Sequence, residues 1–366
     1  MIFGINGMYL TANAAGIGNV IINVINKISS NHKIILFANK QINENTLKRF
    51  TNAENIECVI KYRQSSTLWF FLDYPKLIKK YHIDYLWCPA VWMPFNIKGD
   101  IKTIVSVNDF VSRDFKTTMR FFNRVVSSII EKKSIKKADY LWCISDYTKQ
   151  CLEDYYPKRK CKEIFVGCAP DPFIKKIDDS DLLIKVQKEL KLPKQYILFV
   201  GSLEPRKNLK FLLKVYKEYA KTNNELNLVI VGAKGWGKTE ITEIINNDCF
   251  PKDRVLFTGF VSEEQLRAIY NLATVYISTS LNEGFGLPQV EAMNCEIPVI
   301  SPHNSAMIEV VNGAGVTIDS WEINKWKKAI DFTLENREKI INQQNERRKQ
   351  YSWEVIISRF YDYIGK

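Results

Sequence analysis

Histidine is scarce in this chain, three in 366 residues, and none of the eight cysteines forms a C-x-x-C pair. Cys58, Cys88, Cys143, Cys151, Cys161, Cys168, Cys249 and Cys295 stand singly, several inside apolar strand-like runs. Neither a zinc site nor a disulfide framework is expected from that spacing; buried, reduced thiols in a cytosolic protein are. Long apolar runs are missing too, so no segment is expected to span a bilayer. The first charged residue is Lys27, but Asn6, Asn13, Asn19 and Asn23 interrupt the N-terminal run and no basic stretch precedes it. A secretory signal is therefore not expected.

What is present suits a folded protein: 46% hydrophobic and 25% charged residues, with no low-complexity tract. The length exceeds one ordinary core, which predicts two domains. Net charge is +12, and residues 1–180 hold 27 Lys/Arg against 17 Asp/Glu, while 181–366 hold 25 against 23. The positive field belongs to the N-terminal half, where it could serve nucleic acid, anionic lipid or a phosphorylated acceptor.

Along the first half, Met1–Gly7, Lys33–Asn39, Ile56–Ile60, Ile83–Pro89, Thr103–Asn108, Tyr140–Ser145 and Glu163–Val166 read as strands. Helix-length stretches, Ile17–Ser30, Thr67–Tyr81 and Lys116–Lys137, lie between several of them. A polar, proline-containing segment, Asp171–Asp179, reads as a linker, after which the alternation restarts. Strands are expected at Tyr196–Val200, Asn227–Val231, Arg254–Thr258, Ala273–Thr279 and Ile297–Ser301, with helices at Asn208–Lys221, Thr239–Asn246 and Glu263–Leu272. Strands alternating with helices predict two doubly wound, mainly parallel α/β domains, whose ligands bind outside the carboxyl ends of the strands.

Several of those strand ends carry chemistry. Asn282-Glu-Gly-Phe-Gly-Leu-Pro-Gln-Val-Glu291 joins a glycine turn (Gly284, Gly286) to a helix opened by Pro288, with carboxylates at Glu283 and Glu291. Proline is favoured in a first helical turn, and free N–H groups there can take an anion. An ordinary strand-to-helix connection, with Glu291 solvated, is the other reading. The loop after Tyr196–Val200 contains Gly201 and ends in Arg206-Lys207 at a helix start, a cationic diphosphate site. Gly232-Ala-Lys-Gly-Trp-Gly237 and Thr258-Gly-Phe-Val261 end the neighbouring strands. In the first half, Gly16-Ile-Gly18 opens a helix and Asn108-Asp109 ends a strand. Without its third glycine, Gly16-Ile-Gly18 is a weak nicotinamide signal, and Asp109 could equally cap the next element.

The stretch Lys116–Lys137 holds seven basic residues and one acid, Glu131, interleaved with Phe121, Phe122, Val125, Val126, Ile129 and Ile130. Apolar spacing near 3.6 reads as a core-facing helix with a basic outer side, or as a helix lying on an anionic bilayer. Trp69-Phe-Phe and Trp92-Met-Pro-Phe95 add aromatics to the same half.

Taken together, these motifs make the chain resemble the retaining glycosyltransferases of family 4, the group 1 glycosyl transferases with the two-domain GT-B fold. Glu283 and Glu291 match that family's E-x7-E within E-G-F-G-L-P-x-x-E-A-M. Val200–Asn208 resembles its diphosphate loop, Phe257–Ser262 its nucleotide segment, and Ser301–Val311, with Ser305 and Glu309, its S-x-x-x-E-V-V run. Gly16-Ile-Gly18, Asn108-Asp109 and Ser145-Asp-Tyr-Thr148 match positions of the N-terminal domain, and Ser352-Trp353 opens a last helix like the one that returns to it.

The resemblance implies two Rossmann-like domains facing a cleft: 1–174 for the acceptor, 175–350 for the nucleotide sugar, and 351–366 as the returning helix. It implies transfer of a hexose, mannose- or rhamnose-like from the Gly-x-x-Gly-Trp236 run, from a nucleoside-diphosphate sugar to a carbohydrate or lipid-linked saccharide, with configuration retained. Arg206 and Lys207 would bind the diphosphate, with Gly201, Gly18 and the Gly286–Leu287 backbone. Glu291 would take the ribose, and Glu283 with Gly284 and Phe285 the sugar. Val261 would meet the base, and Asn108 and Asp109 would approach from the N-terminal domain. No metal or other cofactor is implied, since cations and a helix start can stabilise the leaving diphosphate and no D-x-D pair ends a strand. Two departures stand out: Asn108 replaces the usual histidine and cannot titrate near neutral pH, and Asn294-Cys295-Glu296 replaces a small-residue tract. An epimerase or phosphorylase of the same fold, or a basic nucleic-acid binder, is the alternative. The expected location is cytoplasmic, at the inner membrane face if 116–137 docks there.

Overall fold

Parallel strands buried on both faces need aliphatic residues throughout, and the apolar runs deliver them. The computed structural model describes residues 1–12, 16–95, 97, 100–110, 121–232, 238–246 and 248–365, without the side chains of 121–126, 238–240 and 242. The chain divides into two units, Met1–Ala169 with Ser352–Lys366, and Pro170–Tyr351.

In the first unit, β1 (Ile2–Asn6), β2 (Lys33–Ala38), β3 (Ile56–Ile60), β4 (Tyr85–Cys88), β5 (Lys102–Val107), β6 (Tyr140–Cys143) and β7 (Ile164–Val166) form one parallel sheet. Its order is β3-β2-β1-β4-β5-β6-β7, so growth reverses beside β1. Helix α1 (Ile17–Ile28) follows β1, and α2 (Phe121–Lys137) precedes β6. The last helix, Trp353–Tyr363, packs here as well: Phe360 stacks on Trp142 at 4.7 Å, and the Tyr363 hydroxyl donates to the Glu163 carbonyl at 3.0 Å.

The second unit holds β8 (Tyr196–Val200), β9 (Asn227–Val231), β10 (Val255–Gly259), β11 (Val275–Ile277), β12 (Val299–Pro302) and β13 (Val316–Ile318), all parallel. The order β10-β9-β8-β11-β12-β13 again reverses, between β8 and β11. Ligands of such sheets bind at that reversal, at the carboxyl edge. At that edge α3 (Leu209–Tyr219) follows β8, α4 (Glu263–Leu272) follows β10, α5 (Leu287–Asn294) follows β11 and α6 (Ser305–Val311) follows β12. Ser262 and Gln265 close a capping box at the start of α4.

Four features differ from the sequence reading. The segment expected as one helix over 67–81 is broken by a π-helical turn, Trp69–Asp73, between Ser66–Leu68 and Tyr74–Lys80. Strand β11 is shorter than 273–279, and beyond its end the Thr279 hydroxyl donates to the Lys207 carbonyl at 3.0 Å. β13 and the helices Ser180–Glu189, Ile323–Glu335 and Arg337–Arg347 lie outside the expected elements. Cys58 and Cys249 are exposed, whereas Cys88, Cys143, Cys161, Cys168 and Cys295 are buried as thiols. Among the described residues no helix is long and apolar enough to cross a membrane.

Candidate active site

The ends of β8, β9 and β10 approach each other closely. Gly201 donates its N–H to the Val231 carbonyl, and Gly232 to the Gly259 carbonyl, both at 3.0 Å. A Cβ at Gly232 would fall 1.9 Å from the Gly201 oxygen, so only glycine fits there. From Gly201 the loop runs into a single 3-10 turn, Pro205–Lys207, and Asn208 takes left-handed backbone (φ 50°) to start α3. Hydrogen bonds tie this loop to the segment after β11. Leu281 N–H donates to the Arg206 carbonyl at 2.8 Å, and Thr279 to that of Lys207. Lys207 is thereby buried, and a buried ammonium needs a partner.

Glu283 is that partner. Its Oε1 accepts from the Lys207 Nζ and from the Ser280 hydroxyl (2.7 Å). Its Oε2 accepts from Arg206 Nη1 at 2.6 Å, which also donates to the Asn282 carbonyl at 2.8 Å. The backbone is held as firmly: Glu283 N–H donates to the Ser305 hydroxyl at 3.0 Å, and Ala306 N–H to the Glu283 carbonyl at 3.3 Å. Ser305 itself sits at φ 46°, strained backbone for a serine. Burial pushes the Glu283 carboxyl upward, but Lys207 and then Arg206 outweigh it and hold the group at about 2. Glu283 is thus a fixed anion at neutral pH.

Gly286 follows with φ 105°, a conformation that suits glycine, and Pro288 stands in the first turn of α5. Phe285 is buried edge-on against Tyr351 at 5.5 Å. Glu291 lies on the inward face of α5, buried, and its Oε2 accepts from the Tyr270 hydroxyl of α4 at 2.8 Å. Burial raises this carboxyl to about 7; Asp171 adds to the rise, while the Tyr270 hydrogen bond and Lys207 oppose it. The structure therefore brings Arg206, Lys207, Glu283, Gly284, Phe285, Gly286, Leu287 and Glu291 into one edge of one sheet, and Glu291 is not a solvated surface residue. Val261, just past Gly259, packs half-buried on the core that holds Tyr270.

The other candidates belong to the first unit, at the carboxyl edge of its sheet. Gly18 is buried in the first turn of α1, after Gly16 at φ 49°. Asn108 directly follows β5 and its amide donates to the Pro89 carbonyl at 3.1 Å; Asp109 beside it is exposed. Ser145 caps the helix Asp146–Tyr155 through Thr148 N–H at 3.0 Å. Residues 13–15, 116–120 and Trp236 lie outside the described residues. Among the described residues no group of His, Cys, Asp and Glu could hold a metal ion.

The sequence reading assigned no site role to Ser280, the Tyr270 hydroxyl or Asp171. Ser280 had a signal, as a polar residue directly after the strand expected at 273–279. The others reach the site only through tertiary packing.

Residues 182–352 match the family model described as "Glycosyl transferases group 1". An O-antigen chain mannosyltransferase B from Escherichia coli is 25% identical over 294 residues, 78% of this chain and 73% of that relative. Other relatives are longer, and this chain spans about a quarter of their length. Among solved structures, a sucrose-phosphate synthase from Thermosynechococcus elongatus superposes with a TM-score of 0.78 at 16% identity, over 99% of this chain and 98% of that one. Anabaena HepE in complex with UDP and glucose superposes with 0.77 at 14% identity, over 100% and 99%. Both likenesses concern the fold.

Proposed function

We propose that the chain, whose residues 182–352 match the group 1 glycosyl transferases, moves a hexose from a nucleoside-diphosphate sugar to a carbohydrate or lipid-linked saccharide, with configuration retained and no metal required. The observation that carries this reading is Glu283 held between Arg206 and Lys207, beside the start of α5. The diphosphate brings two negative charges to the same cations, so sugar-donor binding is a competition with Glu283. As the phosphates draw Lys207 and Arg206 toward themselves, Glu283 keeps Ser280 and turns acceptor for hydroxyls of the sugar. In the bond-breaking step the cations and the α5 N–H groups take up charge on the leaving diphosphate, the electrostatic stabilisation that dominates such reactions. Glu283 is too acidic to serve as a proton source at neutral pH.

Glu291 takes the ribose hydroxyls and Val261 meets the base. Gly201 gives the diphosphate loop its close approach. A mannose-like sugar is favoured by the mannosyltransferase relative. The matched family is one of glycosyl transferases, which favours sugar transfer over epimerisation or nucleic-acid binding. A thermal-shift screen against UDP-, GDP- and dTDP-sugars, followed by transfer of labelled sugar, tests the proposal. One nucleotide sugar should stabilise the protein selectively; no stabilisation by any of them and no transfer would overturn it.

A further inference from the structure

The chain enters the second unit at Pro170 and leaves it at Tyr351. Neither crossing is slack. The segment Asp171–Asp179, which reads as a linker in the sequence, is stitched to α4. Arg267 donates to the Lys175 and Lys176 carbonyls at 3.1 and 2.9 Å, and the Ile177 N–H donates to Asn271 Oδ1 at 2.8 Å. On the outgoing side Tyr351 meets Phe285 edge-on, and its hydroxyl donates to the Val310 carbonyl, near the end of α6, at 3.5 Å.

Both crossings then fasten to the same two groups at the far end of α5. The Asn294 carbonyl accepts from the Lys176 N–H at 3.2 Å and from Arg348 Nη1 at 3.0 Å. Two residues on, the Glu296 carboxylate pairs with Lys176 Nζ at 3.5 Å and with Arg348 Nη2 at 3.8 Å. Glu296 stands there in left-handed backbone, φ 58°, which glycine takes freely and glutamate only at a cost. A glycine would end the helix as well, but it could not join the two crossings. The pairs are partly exposed and add little to stability. An unfavourable backbone kept for pairs of so little stabilising worth points to a positional role.

Between its ends α5 is a short rod, buried from Gln289 to Met293, and close packing lets it shift only as a unit. We propose that Glu296 is a positioning residue for the sugar donor. With Arg348 and Lys176 it fixes the rear of α5, and so places the N–H groups at the start of that helix and Glu291 on its inward face. By the same rod, donor binding at the start of α5 is felt in both crossings. The inference rests on the sugar-donor reading and adds to it a residue outside the site.

The test uses the full chain with UDP, GDP and dTDP in titration calorimetry, followed by amide hydrogen exchange with and without whichever one binds. In wild type the nucleotide should slow exchange at 174–177 and 347–351. Glu296→Gly should melt at or above the wild-type temperature, since backbone strain leaves together with weak pairs. It should nevertheless bind the nucleotide about tenfold more weakly and lose that slowing. Arg348→Met leaves the backbone at 296 untouched and should weaken binding likewise, which keeps the inference testable should Glu296→Gly unfold. The double variant should bind no more weakly than either single one, as two residues acting through one contact require. Either single variant folding and binding like wild type overturns the inference and leaves the donor reading in place. So does nucleotide binding that leaves exchange at both crossings unchanged. Wild type that binds none of the three nucleotides overturns both.

Discussion

Glu283 and Glu291 stand at the two ends of one short segment, both buried, and their surroundings drive them apart. Glu283 lies in the loop between two cations and is held at about 2; Glu291 lies on α5, against a tyrosine hydroxyl and facing Asp171, and is raised to about 7. Burial opposes ionisation in both. The difference is the neighbour: a paired ammonium and guanidinium outweigh desolvation, whereas one neutral hydroxyl does not. One segment thereby presents a permanent anion and, beside it, a carboxyl poised near neutrality.

The largest expected effect breaks the cationic side. Lys207→Ala leaves Glu283 with Arg206 and removes a charge from the proposed diphosphate site, so transfer of labelled sugar should fall by about 10²–10³-fold, the usual loss for such a group. Undiminished turnover would remove Lys207 from the mechanism.

The next concerns stability. The Glu291 carboxyl is raised in the folded state, so the fold holds its proton from about 4.5 to about 7 and loses stability as pH climbs through that window. The whole shift corresponds to about 3 kcal/mol. Glu283 has the opposite sign: its contribution is complete above about 4.5 and disappears as pH falls toward 2. Glu291→Gln should therefore gain on wild type between pH 5 and pH 8 in denaturant melts. A constant difference across that range would contradict the raised carboxyl.

Two smaller effects sharpen the contrast. Glu283→Gln frees both cations from a competing anion, so nucleoside diphosphate should bind severalfold more tightly by calorimetry while sugar transfer falls. Tyr270→Phe removes the hydroxyl on Glu291 and should cost about 1 kcal/mol of stability, the usual worth of such a bond. It should also move the pH dependence of melting upward; unchanged melts would show that the bond contributes nothing.

Much of this was legible beforehand, for physical reasons. Runs such as Tyr196–Val200 declare a buried strand, and Gly286 with Pro288 declares a turn into a helix. The pairing of Glu283 with Lys207 needed the fold, since it joins loops 76 residues apart. The character of Glu291 needed it more: α5 is apolar on most sides, and which side faces Tyr270 and Asp171 is set by packing. The π-helical turn Trp69–Asp73, within a segment that reads as one helix, is something no periodicity announces.

Glu291, raised to about 7 and taking the ribose hydroxyls in the proposed complex, should change protonation when the sugar donor arrives, whereas Glu283 should not. Titration calorimetry near pH 7, in buffers of differing ionisation enthalpy, counts protons exchanged as the stabilising nucleotide sugar binds. Hydroxyls donated to Glu291 favour its ionised form, so wild type and Glu283→Gln should release protons and Glu291→Gln should not. Release that persists in Glu291→Gln would contradict the account.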